Sequence, residues 1–327
     1  MPKQRVTTQD IAQRAGVSKA TVSYALNGTG SVSPAVAAKI IALAKEMGYQ
    51  ENRLAKATRT GKTDTLGLVL PDLCNPFFPK MAQAVVQAAS ERGYSVFLVD
   101  CRNSLDEEQQ GIERLAQYAI EGIIWCPIDD EKSIARNTLT CPVVMTDRPI
   151  DGYDCVYADS ASGGALQAQM LSQKGHKKIG LISGPVRSRG AQIRRQGFVQ
   201  ALPQDVSIVW EYSLEYNMTI PAEVQTHILA GEVSCIVAAN DTQAIGILRV
   251  LHAARKAVPD EVSLIGFDAI EWSDLVSPPL STIALPIQQI GTESVHLLLE
   301  RIDNPDKTVR QIALDVQSLD RESLKQL

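Results

Sequence analysis

VTTQDIAQRAGVSKATVSYALNGTGSVSPAVAAKIIALAKEMGYQENRLA, residues 6–55, carries three helix signatures in succession. Thr7 with Asp10 three residues later is a capping-box-like start. The helix continues through Ile11, Ala12 and Ala15, and Gly16 ends it. Ser18 suits the N-cap of a second helix with Val22, Ala25 and Leu26 on one face. Asn27-Gly28-Thr29-Gly30 breaks it. Ser33-Pro34 opens a third helix, with Ala37, Ile40, Ile41, Ala44 and Met47 at helical spacing. Helix, glycine-containing turn, helix and supporting helix is the helix-turn-helix plan.

Working outward, the charge changes sign. Residues 1–61 hold nine Lys/Arg against three Asp/Glu, and the remaining 266 hold 23 against 34, although the 327-residue chain as a whole is at −5. A basic head on an acidic body is the split expected where only the head contacts nucleic acid, although a solvated basic face would look the same by charge alone. Apolar content of 45% with 5% aromatics suits an aliphatic core. Six scattered cysteines (Cys74, Cys101, Cys126, Cys141, Cys155, Cys235) form no C-x-x-C and read as buried thiols of a reducing compartment. His176, His227, His252 and His296 show no metal-ligand spacing. The first residues lack the apolar stretch of a secretion signal, and no run approaches ~18 apolar residues, so a cytoplasmic chain without a membrane span is expected.

Residues 52–64 (NRLAKATRTGKTD) read as a basic hinge or linker between a head at 1–51 and a core at 65–327. In the core, strand-length apolar runs alternate with helical stretches: LGLVL (66–70), SVFLV (95–99), GIIWC (122–126), PVVM (142–145), KIGLIS (178–183), SCIVAA (234–239) and VSLIGF (262–267). Strand alternating with helix implies parallel sheets covered on both faces. So many elements predict two doubly wound subdomains with a cleft at the carboxyl ends of their strands.

VSKATVSYALN, GYQENRLA, LGLVLPDLCNPFFP, GHKKIGLISGP, RRQGF, AAND, VSLIGFD and SPPLSTI follow one another in an order that resembles the lactose/galactose repressor (LacI/GalR) family over nearly the whole chain. The resemblance implies an all-α helix-turn-helix head on an α/β, periplasmic-binding-protein-like core of two doubly wound parallel-sheet subdomains. It further implies a homodimeric transcription regulator, a repressor, that binds a pseudo-palindromic operator DNA and responds to a small sugar or sugar derivative.

On the second helix Lys19, Ala20 and Tyr24 fall within ~140° of one another, away from the Val22/Leu26 side. The resemblance places them in the major groove, where Lys can donate to guanine, Ala can touch a thymine methyl and Tyr can bond a base edge. Ser18, Thr21 and Asn27 suit phosphates, and Thr8, Ser33, Tyr49 and Asn52 match further backbone-contacting positions. In the linker, the position where the family inserts a leucine into the minor groove falls on Thr58, a poor wedge, with Arg59 beside it suited to a narrow groove. The alternative is that Thr58 is a plain linker residue and Leu54 packs between paired hinge helices.

For the ligand, the resemblance points to Phe77, Phe78, Asp147, Arg194, Tyr216, Asn240 and Asp268, a set able to bond hydroxyls and cover an apolar face. Structural roles compete: a strand-end ion pair for Asp147-Arg148, a solvated basic run for Arg194, core packing for the two phenylalanines. Arg187 and Arg189 fit a solvated loop or an anionic ligand such as a phosphosugar. Two other classes, a binding protein without DNA function and an enzyme using the cleft, are disfavoured by the basic head and by the lack of a nucleophile elbow, P-loop, dinucleotide fingerprint or metal cluster. Gly28-x-Gly30 follows a helix rather than a strand, and Ser183 is one place off G-x-S-x-G. No cofactor is expected. No heptad tail follows the core, so a dimer is expected rather than a tetramer.

Overall fold

The structure, a computed structural model, describes residues 6–28, 30–49, 61–137 and 139–327. The expectations at Asn52, Thr58 and Arg59, and for the Asn27 side chain, lie outside the described residues. The chain divides into two compact units, Met1–Thr63 and Asp64–Leu327.

The first unit holds α1 (Thr8–Ala15), α2 (Lys19–Asn27) and α3 (Pro34–Glu46). The capping box at α1 is complete: Thr7 Oγ1 accepts from Asp10 N–H, and the Asp10 carboxylate accepts from Thr7 N–H. Gly16 closes the helix in the left-handed conformation. Ser18 caps α2 and Ser33 caps α3, with Pro34 in its first turn. Ile11, Ala12, Val22, Ala25, Ile40 and Ala44 close the small core.

The second unit contains β1 (Thr65–Leu70), α4 (Phe77–Glu91), β2 (Ser95–Asp100), α5 (Leu105–Gln117), β3 (Gly122–Trp125), α6 (Lys132–Arg136), β4 (Val143–Thr146), β5 (Asp154–Ala158), α7 (Ser160–Gln173), β6 (Lys178–Ser183), α8 (Arg189–Ala201), β7 (Ser207–Ser213), α9 (Ala222–Leu229), β8 (Cys235–Ala238), α10 (Asp241–Ala253), β9 (Ser263–Ile265), α11 (Trp272–Leu275), β10 (Thr282–Ala284), α12 (Ile287–Asp303), β11 (Gln311–Leu314) and β12 (Gln317–Leu319). One sheet runs β11-β5-β4-β3-β1-β2 and the other β7-β6-β8-β9, every pair parallel. In both the second strand lies outside the first and the third on its other side. Each lobe therefore has a switch point, β1/β3 and β6/β8, where a crevice opens at the strands' carboxyl ends.

Strands β1, β3 and β8 are buried throughout, as parallel strands sandwiched by helices must be. The chain enters the second lobe after β5, returns to the first through β10 and α12, adds β11 there, and crosses again into β12. Strands β10 and β12 pair antiparallel, and bridges Ile265–Ser281 and Asp268–Ala284 tie β10 to the end of β9. Among the described strands, β5, β7, β10, β11 and β12 carry none of the apolar runs that mark the other seven.

Candidate functional site

In the head, Lys19 and Ala20 stand exposed on the first turn of α2, and Tyr24 is 48% exposed one turn on. Ser18 Oγ accepts from Thr21 N–H at 3.0 Å and lies 2.8 Å from Thr21 Oγ1. Both hydroxyls thus build the helix start, and their exposed side offers hydrogen-bonding capacity toward a phosphate. Ser33 does the same at α3, accepting from Val36 N–H. Thr8, the first residue of α1, is half-buried. Tyr49 is half-buried too, and its ring packs against the three-helix core. That gives it a structural role beside any backbone contact.

In the second unit a cavity of about 290 Å³ lies between the two lobes. Its walls are loops at strand ends: Asp72 and Asn75 after β1, Asn103 after β2, Pro127 and Ile128 after β3, Asp147 and Arg148 after β4. From the second lobe come Arg187 and Ser188 after β6, and Glu215, Tyr216 and Asn217 after β7. Phe78, in the first turn of α4, covers one side. A larger depression of about 610 Å³ between Lys80 and Trp272 contains none of the expected ligand residues.

The expected set is only partly brought together. Phe78, Asp147 and Tyr216 line the cavity. Phe77 does not: it turns into the core of the first sheet at 4% exposure, its ring edge-on to Phe78 at 5.1 Å. Successive helical residues point about 100° apart, so one of the pair takes the cavity and the other the core. Arg194, Asn240 and Asp268 sit outside the lining, although Arg194 and Asp268 act electrostatically on Tyr216, which lines it. Burial pushes the Tyr216 hydroxyl upward in pKa; Arg194 opposes the shift, while Asp147 and Asp268 add to it. Burial also holds the Asp268 carboxyl well above the carboxylate range, again opposed by Arg194.

Several local devices hold this group. Helices α7 and α8 touch backbone to backbone: a Cβ at Gly164 would meet Arg194 O at 2.1 Å, and one at Gly197 would meet Ala161 O at 2.1 Å. That contact sets where Arg194 leaves α8. Its guanidinium lies 3.5 Å over the Phe267 ring and donates to Ala239 O, while Nε is buried with no partner. Asn240 caps α10 through Oδ1, 2.9 Å from Gln243 N, leaving Nδ2 buried and unpartnered. Asp147 (φ +80°) and Asp268 (φ +102°) occupy the left-handed region, a strain that non-glycine residues keep where the surroundings or a ligand demand it.

The charges in the lining are largely spent on each other. Arg148 bonds Asp130 at 2.6 Å and Asp147 at 3.1 Å and donates to Pro127 O, so the Asp147–Arg148 pair exists and leaves Asp147 still facing the cavity. Arg187 donates two hydrogen bonds to the Glu215 carboxylate, both 2.6 Å. Arg189 lies 3.8 Å from Asp151 and outside the lining. Within the lining, then, an anion finds the Arg187 guanidinium already paired with Glu215. Asp72, Asn75, Asn103, Ser188, Glu215 and Asn217 carry no signal in the sequence: they lie in strand-end loops without a repeating pattern. Among the described residues no group of three His, Cys, Asp or Glu could hold a metal ion, and no helix is long and apolar enough to cross a membrane.

Comparison with known proteins matches both parts. Residues 7–52 match "Bacterial regulatory proteins, lacI family", and residues 63–321 match "Periplasmic binding proteins and sugar binding domain of LacI family". The ribose operon repressor of Escherichia coli (strain K12) is 29% identical over 97% of this chain and 99% of its own length. The HTH-type transcriptional repressor PurR of Mannheimia succiniciproducens is 28% identical over 98% and 99%. Among solved structures, the Lac repressor dimer bound to operator and the anti-inducer ONPF superposes with a TM-score of 0.86 at 25% identity, covering 98% of this chain and 99% of that one. A LacI family regulator from Enterococcus faecium with bound ribose gives 0.71 at 27% identity, over 80% and 99%. With a helix-turn-helix head and a two-lobed core each matched over its length, the chain belongs to the LacI family of bacterial transcription regulators.

Proposed function

We propose that this protein is a homodimeric, cytoplasmic repressor whose grip on an operator is set by a small neutral polyhydroxylated ligand, of pentose size, held between the lobes of its core. The observation that carries the reading is the inter-lobe cavity of about 290 Å³ with polar walls from both lobes; beyond its lining, Arg194 Nε and Asn240 Nδ2 are buried donors without partners. Buried donors left unmade are costly, so a ligand hydroxyl that reaches them gains more than it would in water. Relatives named for ribose or solved with it support the size and class. The committed guanidiniums favour a neutral ligand over an anionic one.

Lys19, Ala20 and Tyr24 are assigned to base edges, and Ser18, Thr21, Ser33 and Thr8 to phosphates. Two heads on a dimer read two half-sites. Support for a second copy of the chain comes from the edge strand β2, exposed on both faces, where Phe97 and Leu98 lie open beside Tyr118. An unpaired apolar edge of this kind is normally covered. Ligand between the lobes favours one lobe angle and so shifts the DNA-competent population. The cavity is read as a binding site, not a catalytic one. Selecting duplexes from a random-sequence library and measuring their affinity with and without each of a set of pentoses and hexoses tests the proposal. At least one neutral sugar is expected to change the affinity, and none doing so would refute the ligand class.

A further inference from the structure

We propose that Gly30 is a specificity-determining residue of the DNA-reading surface, acting through Tyr24: its missing side chain lets the turn after α2 close onto the tyrosine ring and fixes the direction in which that ring meets a base. The proposal rests on the reading that Tyr24 bonds a base edge. A Cβ at Gly30 would lie 2.9 Å from Tyr24 Cγ, 3.0 Å from Cδ1 and 3.1 Å from Cδ2. Those atoms are the root of the ring, which cannot swing aside without changing rotamer.

The neighbouring glycine separates this contact from ordinary turn chemistry. Gly28 (φ +65°) and Gly30 (φ +77°) both adopt the left-handed conformation that disfavours other residues. At Gly28, however, a Cβ would meet nothing within 4 Å. Backbone conformation accounts for a glycine at 28. At 30 there is a second demand, and the ring imposes it.

Tyr24 needs such a support. It stands at 48% exposure on a short helix whose inward face is Val22 and Ala25. An exposed tyrosine samples rotamers and must be ordered on binding, and holding the ring beforehand removes part of that cost. The effect belongs to base discrimination. Phosphate contacts, which carry affinity for any duplex, come from other side chains.

The test uses full-length chains: wild type, Gly30→Ala, Gly28→Ala, Tyr24→Ala and the Gly30→Ala/Tyr24→Ala double variant. Each is read by sequencing the duplexes it retains from a random-sequence library, by its affinity for an unrelated duplex, and by thermal unfolding to confirm the fold. Tyr24→Ala is expected to lose preference at one base pair per half-site, about tenfold. Gly30→Ala should weaken preference at that same pair with affinity for the unrelated duplex unchanged. Gly28→Ala should leave the preference as it was, and the double variant should match Tyr24→Ala alone. If Tyr24→Ala keeps the preference, the base-reading role falls and the proposal with it. If Tyr24→Ala loses it but Gly30→Ala does not, or if Gly28→Ala does equal damage, or if the two losses multiply in the double variant, the base-reading role stands and the part assigned to Gly30 is wrong.

Discussion

The side chains assigned to base edges stand in water, and the buried donors of the core are withdrawn from it: Tyr24 is 48% exposed and Asn240 1%. The head presents its base-reading set from the first turns of one helix, with Ser18 and Thr21 committed to the helix start itself. The core draws its set from strand-end loops between Asp72 and Asp268 and leaves buried donors unmade. The difference follows from the partners. A duplex is a large polyanion that meets a convex surface and supplies its own charge. A small uncharged ligand must be enclosed, so the protein has to bury polar groups and wait for the ligand to complete them.

If the two regions divide the work in this way, a chain starting at Asp64 should lose operator binding altogether while its thermal midpoint still rises with the sugar that acts on the whole protein. Operator binding by that fragment at moderate salt would break the division. Within the core, Arg194→Ala should weaken the response to sugar by ten- to hundredfold, as expected for a charge-assisted bond of ~1.5–3 kcal/mol. Operator affinity without sugar should stay the same, and a response at the wild-type sugar concentration would remove Arg194 from the site.

A smaller change should come from Glu215→Gln, which frees one side of the Arg187 pair. The variant should bind ribose 5-phosphate about tenfold better relative to ribose than the wild type does, roughly one charge-assisted bond. An unchanged ratio in isothermal titration would mean that Arg187 does not face the ligand.

The smallest effect concerns pH. Burial pushes the Asp241 carboxyl up to about 7, against hydrogen bonds from the Thr282 hydroxyl and Ile270 N–H. A carboxyl that holds its proton more tightly when folded stabilises most below its unfolded pKa, near 4, and that stability is lost as pH rises through about 7. The midpoint of the wild type should therefore fall between pH 5 and pH 8 by more than that of Asp241→Asn. Equal falls would show that Asp241 titrates as it does unfolded. Asp268 shifts in the same sense and should leave the variant some residual slope.

Legibility in the sequence divides along the same line. The head could be read almost residue by residue, because caps and apolar spacing are local: Thr7, Gly16, Ser18 and Ser33 each do what their position announces. In the core, seven strands with apolar runs were legible. Strands β5, β7 and β11 were not: β5 (DCVYA) mixes charge into a short run, β7 (SIVWEYS) is an edge strand with alternating exposure, and β11 (QIAL) is four residues long. The site was half-legible for a physical reason. Which of Phe77 and Phe78 faces the cavity depends on the pitch of α4 against its sheet. That Arg187 is neutralised by Glu215, 28 residues away, depends on two loops meeting at neighbouring strand ends. Neither leaves a periodic trace.

Coupling between the two regions is the central claim, and it is reciprocal by thermodynamic necessity. The most direct test measures it from both sides with the full-length protein, one selected operator duplex and the sugar giving the largest thermal shift. Operator affinity is titrated with and without saturating sugar, and sugar affinity with and without saturating operator. The account predicts that both change, and by the same factor, about fivefold or more. Operator affinity unmoved by a sugar that binds the core would contradict it.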